Sequence, residues 1–159
     1  MAFSSLAVPN DVFISFRGED IRTNFLSHLR KELRCNQVEF FVDDEKLHPG
    51  DEISSTLVRA IEQSYISLVI FSKHYASSGW CMEELVKIIE CMKRYKRIVI
   101  PVFYKVDPSC VRYQKGTFAD AFVVHEKKYE KNIAKVRNWR SALEKSANLS
   151  GIHYPSKYR

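Results

Sequence analysis

Glu84 and Trp80 are the residues of this chain best placed to do chemistry. They lie in Ser77-Ser78-Gly79-Trp80-Cys81-Met82-Glu83-Glu84-Leu85, just after the apolar run 66–71. That run reads as a buried strand, and 81–92 reads as an amphipathic helix. A carboxylate in the first turn of a helix, just past a strand's carboxyl end, stands where open α/β sheets bind ligands. There it can face positive charge developing on a substrate. An indole four residues earlier can supply a flat apolar wall. The alternative for Glu84 is a carboxylate that only complements the helix dipole, since acids favour the first turn. Glu83 projects roughly 100° away around the helix and is expected to face solvent.

The elements that must hold these residues follow from periodicity. Residues 12–16 form a first strand. Ile21, Phe25, Leu29 and Leu33 recur at helical spacing, and 38–42 form a second strand. A polar loop, 43–51, contains Pro49-Gly50 and reads as a turn. Ile53, Leu57 and Ile61 mark a second helix, and 98–104 a fourth strand. Thr117 with Asp120 resembles a capping box that opens a fourth helix. Val136, Trp139, Leu143 and Ala147 line a fifth helix, and a short strand is expected near 150–153. Such alternation predicts an α/β fold, a five-stranded parallel sheet with helices on both faces. The expected strand order is 2-1-3-4-5, as in flavodoxin-like folds. Pro101 lies inside the fourth strand and cannot donate a ladder hydrogen bond, so that strand should be edge-like or bulged there.

Length and composition restrict the function classes. A chain of 159 residues suits one domain with a real core. The expected division is a flexible segment over 1–10, one domain over 11–153, and the start of a linker over 154–159. The apolar runs are too short to span a membrane, and 1–8 lacks a signal peptide's pattern. A soluble intracellular protein with no membrane partner is expected. Cys35, Cys81, Cys91 and Cys110 match no zinc spacing, so reduced thiols and no metal are expected. The net charge of +6 could attract nucleic acid, but solvated helix faces are the favoured account of it. No G-x-x-x-x-G-K-[ST], G-x-G-x-x-G or G-x-S-x-G is present. A phosphate-accepting receiver would need aspartate at the end of the third strand, where this chain has Phe71-Ser72.

Five motifs, in order, resemble those of plant TIR domains. The first is Asp11-Val12-Phe13-Ile14-Ser15-Phe16-Arg17-Gly18-Glu19-Asp20. The loop from 43 to 53 is similar to the family's BB loop, and Trp80-Cys81-Met82-Glu83-Glu84-Leu85 to its W-C-x-x-E-L. Phe103 to Arg112, followed by Gly116-Thr117-Phe118, is the fourth motif. The fifth is Trp139-Arg140 with Ala147-Asn148-Leu149-Ser150-Gly151.

The resemblance implies the TIR fold and NAD(P)+ nucleosidase activity in plant innate immune and cell-death signalling, including the hypersensitive response. NAD+ or NADP+ would be the substrate, with no cofactor required, and the setting cytoplasmic or also nuclear. Glu84 matches the family's catalytic glutamate. Trp80 could stack on a substrate ring or be a core residue. Arg17 could meet the pyrophosphate or make a structural ion pair, and Ser72 could line the same cleft. Asp43, Asp44, Lys46, Pro49 and Gly50 belong to the loop expected to act as a lid. Cys81 matches a position tied to a further activity on nucleic acid, the alternative being a small buried thiol.

Ser27-His28 and Gly116 match residues of two self-association surfaces, or are a surface polar pair and a turn glycine. Partners would be further TIR domains. The sequence departs from the family pattern at Pro49, Ile21 and Cys110. Pro49 replaces an arginine common in relatives and so removes a charge beside the loop glycine. The competing reading is a non-catalytic TIR–TIR interaction scaffold.

Overall fold

The computed structural model describes residues 10–21, 24–43 and 53–154. Five parallel strands, β1 (Asn10–Ser15), β2 (Phe40–Val42), β3 (Ser64–Phe71), β4 (Ile98–Tyr104) and β5 (Ile152–Tyr154), run in the order β2-β1-β3-β4-β5. The helices are α1 (Gly18–Ile21), α2 (Phe25–Cys35), α3 (Ser55–Glu62), α4 (Gly79–Tyr95), α5 (Pro108–Arg112), α6 (Thr117–Lys128) and α7 (Ile133–Ala147), with a 3-10 turn at Tyr75–Ser77. The expected sheet and its order are therefore present. The apolar run of β3 places it at the sheet's centre, between β1 and β4.

Alternate strand residues divide the core in two. Phe13, Val69, Phe71, Val99 and Phe103 pack under α3, α4, α6 and α7. Val12, Ile14, Ile70 and Val102 face the other way, where Ile21 of α1 and Leu26 of α2 cover them. The two faces are covered unequally. Ile98 and Ile152, on the α2 side by strand alternation, are each 56% exposed.

Several expectations need correction. Ile21 belongs to the separate short α1, not to the helix that carries Phe25, Leu29 and Leu33. The capping box at Thr117 is absent. Gly116 is the N-cap of α6 with no side-chain cap bond, and the Thr117 hydroxyl donates to the Lys73 carbonyl at 2.6 Å. The short α5 was not anticipated, although Asp107-Pro108 carries its signal. Asp107 accepts from the Ser109 N–H at 2.8 Å, and Pro108 opens the helix.

At Pro101 the strand is unbulged toward β3, where Pro101 pairs with Val69. Pairing with β5 begins only at Val102 and Ile152. The Pro101 carbonyl lies against Gly151, and a strand residue's nitrogen faces the same neighbour as its carbonyl. The missing N–H therefore points to the side where no ladder has yet begun. Gly151 allows this approach, since a Cβ there would stand 2.6 Å from Pro101 Cγ.

Among the described residues no helix is long and apolar enough to cross a membrane. No group of three or more His, Cys, Asp or Glu could hold a metal ion there either. The four cysteines are free thiols, with Cys35 exposed and Cys81 and Cys91 buried.

Candidate functional site

The carboxyl ends of β1 and β3 and the start of α4 meet around Glu84. Ser78 caps α4, its hydroxyl accepting from the Cys81 N–H at 3.1 Å. The helix then begins at Gly79, two residues earlier than its apolar spacing predicts. That start makes Glu84 the sixth helical residue, in the second turn rather than the first. The first turn holds no acidic residue. The dipole explanation thus loses its basis, because the effect falls off within the first turn.

Glu84 is fully buried, at 0% exposure. The hydroxyl of Ser15, the last residue of β1, donates to Glu84 Oε1 at 2.6 Å. Ser15 Oγ also lies 2.8 Å from the Tyr75 hydroxyl, which is 3.3 Å from the Cys81 carbonyl. Ser15 and Tyr75 are both fully buried. Burial, with the nearby Cys81 and Glu84 charges adding to it, holds the Tyr75 phenol well above its ordinary value of 10.0. Tyr75 is therefore a permanent neutral O–H at neutral pH. Neither Ser15 nor Tyr75 was singled out from the sequence. Ser15 lay inside the first motif, and Tyr75 lies in a 3-10 turn that carries no periodic signal.

Trp80 is 6% exposed and belongs to the main core, so it is not an open wall. Its indole N–H donates to Asp43 Oδ2 at 2.9 Å. This bond ties the residue after β2 to the start of α4. Glu83 is also not solvent-facing in the expected sense. It accepts from the Trp139 indole N–H at 2.7 Å, with the Lys135 ammonium 4.0 Å away, and so joins α4 to α7. Cys81 is fully buried, its thiol 3.5 Å from the Phe16 carbonyl. Ser72 is 1% exposed just past β3, and Arg17 lies half-buried two residues past β1. The structure thus gathers Glu84, Cys81, Ser72, Trp80 and Asp43 at or near one edge of the sheet.

Asp44, Lys46, Pro49 and Gly50 lie outside the described residues. Ser27 and His28 are exposed on α2, while Gly116 precedes α6 on the other side of the sheet. These positions mark two separate surfaces. A cleft of about 620 Å³ between α2 and β2 is lined by Arg30, Arg34 and Phe40, and it does not include Glu84.

The TIR domain family model matches residues 10–159. TMV resistance protein N of Nicotiana glutinosa is 51% identical over 141 residues, covering 89% of this chain and 12% of that protein. Disease resistance protein RPV1 of Vitis rotundifolia is 48% identical over 143 residues, covering 90% of this chain and 10% of that protein. Among solved structures, the TIR domains of the activated Roq1 resistosome, which directly recognizes the pathogen effector XopQ, are similar at 48% identity. That match has a TM-score of 0.83 and covers 91% of this chain and 87% of the other. The chain spans about a tenth of the length of the curated relatives it matches.

Proposed function

The chain belongs to the TIR domain family, and from that premise we propose that it is an NAD(P)+ nucleosidase of plant immune signalling, activated by self-association. The carrying observation is Glu84, a fully buried carboxylate beyond the carboxyl ends of β1 and β3 that accepts from the Ser15 hydroxyl. Its position in the second turn of α4 leaves it no evident helix-capping task.

The reaction asks for such a group. Nicotinamide leaves with the electron pair of its bond to ribose C1′, becoming neutral. The ribose takes on oxocarbenium character, as in glycoside hydrolysis. The Glu84 carboxylate stabilises that cation by charge and accepts hydrogen bonds from the ribose hydroxyls. Water then adds at C1′ and releases a proton, giving ADP-ribose. Arg17 and Ser72 stand at the same edge to meet the rest of the dinucleotide. No cofactor takes part, and the setting is cytoplasmic or nuclear. Cys81, a buried thiol, is assigned no second activity.

Glu84 is enclosed, so substrate entry requires opening at this edge. Self-association through the Ser27-His28 and Gly116 surfaces would couple assembly to that opening. The Roq1 TIR domains belong to an activated resistosome, which supports self-association. The same enclosure favours the second reading, a non-catalytic interaction scaffold.

Purified protein, dilute and concentrated, incubated with NAD+ beside Glu84→Ala separates the two. Nicotinamide release that rises with concentration and falls at least about a hundredfold in the variant is expected. No release from the folded wild-type protein at any concentration would leave the scaffold.

A further inference from the structure

Three fully buried hydroxyl and carboxyl groups from three separate elements form one chain: Tyr75 of the 3-10 turn, Ser15 of β1 and Glu84 of α4. Their proton inventory fixes the direction of the bonds. A serine hydroxyl has one proton, and Ser15 directs it to Glu84 Oε1 at 2.6 Å. An ionised Glu84 has none to give. Tyr75 must then donate to Ser15 Oγ, 2.8 Å away, in preference to the Cys81 carbonyl at 3.3 Å. If Glu84 gains a proton, the chain can reverse. Glu84 then donates to Ser15, Ser15 to Tyr75, and Tyr75 to the Cys81 carbonyl. Both directions use the same three contacts and need no heavy atom to move.

We propose that Ser15 and Tyr75 are positioning residues for Glu84: the Tyr75–Ser15 chain aims the carboxylate and favours its ionised form. This rests on the nucleosidase reading for its catalytic consequence only. Bonds to the charged form favour that form, and a hydroxyl polarised by a second donor is a stronger donor itself. The 3-10 turn is braced from outside. His125 Nε2 lies 2.6 Å from the Ala76 carbonyl, and Thr117 holds the Lys73 carbonyl. Tyr75 is further fixed by Phe71, ring edge to face at 5.0 Å. Among the described residues, Tyr75 from the turn and Cys81 from α4 itself are titratable groups near the carboxylate. Asp43, held by Trp80, and Arg17, past β1, are charged groups on neighbouring described segments.

The test removes single oxygens. Ser15→Ala and Tyr75→Phe are compared with wild type and with Ser15→Thr, which restores the hydroxyl. Glu84 is titrated by carbon-13 NMR of its side-chain carboxyl, assigned by its loss in Glu84→Gln. In Ser15→Ala the titration midpoint is expected to rise by about one unit, and in Tyr75→Phe by about half that. On NAD+, kcat should fall about tenfold in Ser15→Ala with KM within about twofold, and the acid limb of the kcat profile should move up with the NMR midpoint. Ser15→Thr should recover both.

A folded Ser15→Ala with an unchanged Glu84 midpoint overturns the proposal, whatever the kinetics. Unchanged kcat in that variant also overturns it. A wild-type protein that releases no nicotinamide refutes the nucleosidase reading instead, and the NMR titration alone then decides the chain.

Discussion

Glu83 and Glu84 are adjacent on one helix and have opposite surroundings. Glu83 accepts from the Trp139 indole and lies near Lys135, a structural bond between α4 and α7. Glu84 turns inward to a hydroxyl chain. Their identity alone could not separate them, because the difference lies in which elements pack on each side of α4. A third residue of the helix reports on pH. Burial pushes the Cys91 thiol up from 9.0 to about 11, with Lys87 opposing. The folded state therefore favours the neutral thiol. Its contribution is fully present below pH 9 and is lost as pH rises through about 11. Urea unfolding should show stability falling over that window, and Cys91→Ala should make the fall shallower.

Helix starts carried much of the positioning, and they were the least legible feature of the elements. The apolar spacing of α4 showed its buried face but not its first residue. Ser78 sets that start through its bond to the Cys81 N–H, and so puts Glu84 in the second turn. The start of α6 relies on backbone shape instead. Gly116 has φ of 60° and ψ of −128°, a region that residues with a Cβ avoid. A Cβ there would meet nothing within 4 Å, so strain alone sets the cost. Gly116→Ala should destabilise the domain by about 1–3 kcal/mol in denaturant unfolding. Any loss of self-association in that variant needs comparison at equal folded fraction.

The whole molecule is covered unequally. One face of the sheet lies under α3, α4, α6 and α7, while the other has α1 and α2 among the described residues. Ile98 and Ile152 are exposed on that second face, whereas Phe71 on the first is fully buried. Ile98→Lys should therefore cost under about 0.5 kcal/mol, and Phe71→Ala about 3–5 kcal/mol. Thermal or urea unfolding of the two variants checks this, and a large loss in Ile98→Lys would mean that something covers this face in solution.

The strand order was expected only by analogy with flavodoxin-like folds, whereas periodicity by itself determined the alternation of strands and helices, because side-chain spacing is a local property. The motifs identified the family for the same reason. Partners distant in the chain were decided only by tertiary structure. Ser15 and Glu84 are 69 residues apart, and Trp80 and Asp43 are 37 apart. A polar residue inside a strand or a turn shows no sign of its partner until the sheet brings the ends of β1 and β3 beside α4. Burial then removes water as the alternative partner, which leaves Glu84 bonded to the protein's own hydroxyl.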